Sequence, residues 1–229
     1  FVSGSTDGTV RIWDARRGCH LRTLAEHLSK VTCLRADGGK VVTGTNRRQH
    51  QGMADLYVWD LETAEKTLTL HGHSRRANCV DINGSVVTSS AADCFVKLWD
   101  LRTGREEQSI STECRPGRRF QSDGRKIIGC TDADGNTQDP GFVCVWDVRR
   151  PGSSLWGSGR QSPSSQVSSS SDAEVSRTRC DREAGSVTCL RFDATKLVFS
   201  FWSRDTDGHL QGRITLWDYR QSVLKDSLV

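Results

Sequence analysis

The chain has 229 residues, 26 % of them charged and 35 % apolar, and a formal net charge of +4. That length suits one substantial folded domain, and no run of 18 apolar residues is present that would serve as a membrane span. Nine cysteines lie at 19, 33, 79, 94, 114, 130, 144, 180 and 189 with no CxxC pair, which argues against a disulfide framework and zinc and implies a reducing compartment, cytoplasm or nucleus.

The chain opens on Phe1-Val2-Ser3-Gly4, which reads as the interior of a structured element. A turn around Asp7 and Gly8 leads into Val10-Arg11-Ile12-Trp13-Asp14. The Trp-Asp pair then recurs at Trp59-Asp60, Trp99-Asp100, Trp146-Asp147 and Trp217-Asp218, at spacings of 46, 40, 47 and 71 residues. Each pair ends an alternating run: Leu56-Tyr57-Val58-Trp59, Val96-Lys97-Leu98-Trp99, Val143-Cys144-Val145-Trp146, Ile214-Thr215-Leu216-Trp217. Alternation of period two predicts a strand with one buried face. Val31-Thr32-Cys33-Leu34-Arg35 returns as Val187-Thr188-Cys189-Leu190-Arg191, and each is followed by a turn and a second strand, at 40–43 and 196–199. The unit is therefore strand, turn, strand, loop, Trp-Asp strand, turn, strand. A repeat of about 40–45 residues carrying this dipeptide marks a four-stranded propeller blade.

These residues resemble the WD-repeat family over nearly the whole chain. Ser3 to Asp14 follows the family's pattern, and the third unit adds Gly72-His73, Ser89, Asp93 and Trp99. The resemblance implies a hydrogen-bonded network of His73, Ser89, Asp93 and Trp99 tying one blade together, with Ser3, Asp7 and Trp13 as its counterparts in the first unit. The other units depart from the pattern: Glu26-His27 replaces Gly-His in the second, where Met53 stands at the turn-Asp position; the fourth has no matching His; and Gln211 takes the Asp position of the fifth. The expected fold is all-β, a propeller of four-stranded blades with about five visible, an incomplete part of a seven-bladed ring. The blades run over about 1–27, 28–72, 73–112, 113–156 and 185–229, and residue 1 falls in the second strand of its blade. Between Ser153 and Ser176 there are 11 Ser and almost nothing apolar, so 157–184 is expected to be a disordered insertion between blades. Within it Ser162, before Pro163, and Ser171, before Asp172 and Glu174, are candidate phosphorylation sites.

No nucleophile elbow, phosphate-binding Gly loop or metal-ligand spacing is present, so no enzyme activity, cofactor or metal is expected. The predicted role is a protein–protein interaction scaffold, with a nucleic-acid-associated propeller as the alternative. Four of the five repeats read Trp-Asp-x-Arg, through Arg16, Arg102, Arg149 and Arg220. Such an extension resembles the box of ubiquitin-ligase substrate receptors, which implies adaptor contact by these arginines; F-box/WD-repeat proteins are a second ubiquitin-linked possibility. Three further Arg pairs, Arg47-Arg48, Arg75-Arg76 and Arg118-Arg119, are expected to converge on one rim and bind an acidic or phosphorylated partner.

Overall fold

Alternating apolar runs separated by Gly- and Asp-bearing turns give strands throughout, and every described element is a β-strand. The computed structural model describes residues 1–27, 29–46, 54–112, 116–124, 126–131, 142–147, 176–179, 184–193, 196–204, 210–218 and 223–228. The chain divides into two compact units, 1–116 and 117–229.

The first unit holds three antiparallel sheets. β1 (Val2–Gly4), β2 (Thr9–Asp14) and β3 (Cys19–Glu26) form a three-stranded sheet in that order. β4 (Val31–Asp37), β5 (Lys40–Thr45), β6 (Ala54–Asp60) and β7 (Lys66–His73) make the second. β8 (Ala77–Asn83), β9 (Val86–Ala91), β10 (Phe95–Asp100) and β11 (Arg105–Ser111) make the third. β1 therefore stands where β5 and β9 stand in their sheets. The second unit holds β12 (Pro116–Ser122), β13 (Lys126–Thr131), β14 (Phe142–Asp147) and β15 (Ser176–Arg179) in one sheet. β16 (Ala184–Phe192), β17 (Lys196–Arg204), β18 (Leu210–Asp218) and β19 (Val223–Leu228) form the other. All five Trp-Asp pairs end a strand in the same place of their sheet: β2, β6, β10, β14 and β18.

Two expectations need correction. The Ser-rich segment is not placed between blades: Phe142–Val145 of β14 pairs with Ser176–Arg179, so β15 is the fourth strand of that blade and the long segment joins its third and fourth strands. Residues 148–175, with Ser162 and Ser171, lie outside the described residues. The Trp-Asp strand of the second sheet also buries both faces rather than one. In the second sheet Trp59 packs on Val10 and Leu24 of the first sheet, while Val42, Leu56, Val58 and Leu70 pack on Ala77, Val80, Val87 and Trp99 of the third. There the alternation sorts side chains between two neighbouring sheets, not between core and water.

One register position explains how closely the sheets approach. Three residues before each Trp, the facing residue of the second strand is small: Gly4 opposite Val10, Gly44 opposite Leu56, Ser90 opposite Val96, Cys130 opposite Val143 and Ser200 opposite Ile214. A Cβ on Gly4 would lie 2.6 Å from Val31 Cγ1, and one on Gly44 2.7 Å from Ala77 Cβ. The first strand of the next sheet occupies that space.

Candidate functional site

In the third sheet a chain of hydrogen bonds ties β9 and β10 to the end of β7 and the connection that follows it. Trp99 Nε1 donates to Ser89 Oγ at 2.8 Å, and Ser89 Oγ lies 2.7 Å from His73 Nε2. His73 Nδ1 lies 2.9 Å from Asp93 Oδ2. Asp93 also accepts from the backbone N–H of Ser74 at 2.9 Å and of Phe95 at 3.1 Å. His73, Ser89 and Trp99 are buried, where polar groups are tolerated only when paired. Burial alone would push the Asp93 carboxyl up; the hydrogen bond and charge of His73, with the two backbone N–H donors, outweigh it and hold the group below the usual carboxylate range.

The first sheet keeps part of this arrangement. Trp13 Nε1 donates to Ser3 Oγ at 2.7 Å, while Asp7 accepts from the Thr9 N–H and hydroxyl at 2.8 and 2.7 Å. The second sheet keeps more than its sequence suggests. His27 Nε2 lies 3.2 Å from Thr43 Oγ1, which accepts from Trp59 Nε1 at 2.9 Å. His27 therefore does stand in the histidine position, with Thr43 as its hydroxyl. The overlooked signal was spacing: 16 residues separate His27 from Thr43, as they do His73 from Ser89.

What the second sheet lacks is the carboxylate, and among the described residues the Nδ1 of His27 has no partner. Desolvation, helped by the charge of Lys66, lowers the His27 pKa from 6.5 to about 4. The unfolded chain then binds a proton between about pH 6.5 and 4 that the folded state refuses, so stability falls as pH falls through that window. The depressed Asp93 carboxyl acts only lower, below its ordinary value of 3.8. Urea midpoints at pH 7.5 and 5 are expected to drop on acidification, and His27→Gln is expected to flatten the drop. An unchanged pH dependence in that variant would remove His27 as the cause.

In the three sheets of the first unit the Asp of the Trp-Asp pair caps a turn. Asp14 Oδ1 accepts from the N–H groups of Arg16 and Arg17, Asp60 Oδ1 from those of Glu62 and Thr63, and Asp100 Oδ1 from that of Arg102. Gly18, Ala64 and Gly104 follow with φ of 65°, 63° and 68°, so Ala64 holds a left-handed conformation that its Cβ disfavours by roughly 1–2 kcal/mol. The Arg102 guanidinium folds back on Asp100, Nε to Oδ1 at 3.2 Å and Nη2 to Oδ2 at 3.3 Å. Arg16 is exposed with no such tie. Arg149 and Arg220 lie outside the described residues.

The rim is defined by the connection after β7. Ser74 is fixed by Asp93, and the Ala92 N–H donates to the Arg76 carbonyl at 3.0 Å. Arg75 and Arg76 between these ties are exposed, and neither forms an ion pair among the described residues. Arg47 and Arg48 lie outside the described residues, and Arg118 and Arg119 stand in β12 of the second unit. The expected convergence of three pairs thus reduces, among the described side chains, to Arg75 and Arg76. At the same end of β7, one further feature was not foreseen: His71 Nδ1 lies 2.8 Å from Asp55 Oδ1.

Four of the five sheets hold four antiparallel strands with the Trp-Asp strand third, which is the construction of propeller blades. Residues 1–14 and 64–100 match the family model "WD domain, G-beta repeat". The DENN domain and WD repeat-containing protein SCD1 of Arabidopsis thaliana is 30 % identical over 156 residues, 65 % of this chain and 12 % of that protein. Autophagy-related protein 16 of Arabidopsis thaliana is 27 % identical over 158 residues, 65 % of this chain and 28 % of that protein. The chain thus spans well under a third of either relative. The computationally designed Ika8 protein superposes with a TM-score of 0.62 at 24 % identity, over 99 % of this chain and 70 % of that one. The fold and these matches together support the WD40 repeat family.

Proposed function

We propose that this chain is a non-catalytic docking scaffold whose rim at Arg75 and Arg76 takes an acidic or phosphorylated segment of another protein. The observation that carries the proposal is the pair of exposed guanidiniums, without an ion pair among the described residues, on a connection held at both ends by Asp93 and Ala92. A fixed backbone lowers the ordering cost of binding. Guanidinium matches carboxylate and phosphate oxygens in pairs, and each charge-assisted hydrogen bond contributes about 1.5–3 kcal/mol. Relatives named for autophagy and for ribosome biogenesis fit a scaffold used in several complexes.

Binding of a phosphopeptide library to the protein, with Arg75→Glu and Arg76→Glu as variants, tests this. Each reversal is expected to weaken the best peptides at least about tenfold, the equivalent of 1.4 kcal/mol; unchanged affinity in both variants rejects the rim. RNA as the ligand would instead show a steep loss of binding with salt for any sequence. Among the described residues of the Trp-Asp-x-Arg series, a ubiquitin-ligase adaptor contact is proposed for Arg16 rather than Arg102, whose guanidinium is already held by Asp100.

A further inference from the structure

Four residues before Arg75, the strand that leads into the rim carries an imidazole arranged for contact. The His71 side chain is 64 % exposed, yet its Nδ1 sits 2.8 Å from the carboxylate of Asp55, whose side chain is only 4 % exposed. The other oxygen of that carboxylate accepts from Tyr57 Oη at 3.3 Å, so the group is held from two sides. A carboxylate can only accept, which makes His71 Nδ1 the donor. In the neutral ring the proton is then fixed on Nδ1 and Nε2 carries a lone pair. The ring is largely exposed, and Nε2 has no partner among the described residues.

We propose that His71 is a specificity-determining residue of the rim, accepting a hydrogen bond from a hydroxyl or amide donor that flanks the acidic group of the bound segment. This rests on the docking function proposed for Arg75 and Arg76. Those guanidiniums supply donors only, and His71 supplies an acceptor no more than about 13 Å away along the chain, a span that about four extended residues of a ligand cover. Asp55 is a positioning residue: it sets the tautomer and the ring plane but does not meet the ligand. A segment pairing a phosphate or carboxylate with a nearby Ser, Thr, Asn or Gln satisfies both groups. A purely apolar flank leaves Nε2 facing carbon, which costs the hydrogen bond it makes with water.

The test is a positional-scanning peptide library around a central phosphoserine, with each flanking position sampled as Ser, Asn, Ala and Val, measured at pH 8. The native protein is expected to favour Ser or Asn over Val at one flanking position by about three- to tenfold. His71→Ala is expected to abolish that preference while keeping the preference for phosphoserine over serine. Asp55→Asn, which admits either tautomer, is expected to shrink it. A donor preference that survives in His71→Ala, or that is absent from the native protein, overturns the assignment and leaves the His71–Asp55 pair as a tie between β6 and β7. Failure of the underlying docking function looks different: phosphoserine would then confer no preference in any variant, and Arg75→Glu would change nothing.

Discussion

Trp99→Ala lowers stability by about 3–5 kcal/mol, the range for removing a large aromatic side chain from a core. The indole is 1 % exposed and packs in one cluster with Leu56, Val58 and Leu70 of the neighbouring sheet and Val80 and Val87 of its own. Its far edge lies against the backbone, because a Cβ on Gly72 would come within 3.0 Å of Trp99 Cη2. Truncation therefore opens a cavity between two sheets whose strands cannot close on it. The change also removes the donor to Ser89, at the head of the chain that runs through His73 to Asp93 and Ser74. Trp99→Phe separates the two effects, keeping most of the volume and losing the hydrogen bond, and is expected to cost markedly less. Trp13→Ala is a second control: Trp13 is only partly buried and stacks on Phe1, which is 67 % exposed, so its loss is expected to be the smaller. Urea denaturation midpoints decide the matter. A Trp99→Ala loss no larger than that of Trp13→Ala would mean the sheets do not pack through this residue.

Much of this was legible from residue order. The Trp-Asp pairs located the third strand of every blade because the Asp acts on its own neighbours. Its carboxylate caps a turn two and three residues on, so its position in sequence cannot drift. The network of His73, Ser89, Asp93 and Trp99 was legible because its four residues follow the WD-repeat pattern that this unit resembles, with Ser89 and Asp93 ten and six residues before Trp99. His27 escaped for the opposite reason. The segment between Thr43 and Trp59 stretches to 16 residues where the third sheet uses 10, which hides the common register when positions are counted back from Trp. The side on which β15 joins its sheet was equally hidden: Ser176–Arg179 is a short polar run without alternation, and only pairing with β14 identifies it as a strand. The tie between His71 and Asp55 joins residues 16 apart on adjacent strands, and nothing local in the sequence announces it.

Gly44→Ala is expected to cost about 1–3 kcal/mol, near the top of that range for an overpacked core, although it adds a single methyl group. The strand conformation of Gly44 would accept alanine; the obstacle is space. The new Cβ would sit 2.5 Å from Cys33 Sγ and 2.7 Å from Ala77 Cβ. The two neighbours differ in kind. Cys33 can turn its thiol away about one bond. The Ala77 Cβ is fixed to the first strand of the next sheet, which must itself move. Relief should therefore come from one side only. Ala77→Gly in the Gly44→Ala background is expected to restore a large part of the loss even though glycine in a strand is itself unfavourable, whereas Cys33→Ala should restore little. The coupling in that double-mutant cycle measures how tightly the second and third sheets are pressed together at this position. The comparison with Gly4 sharpens it: there the added methyl would meet Val31 Cγ1 at 2.6 Å, the end of a side chain that can change rotamer, so Gly4→Ala is expected to cost less than Gly44→Ala. Equal losses at the two glycines, or rescue by Cys33→Ala and not by Ala77→Gly, would show that side-chain crowding rather than backbone approach sets the distance between neighbouring blades.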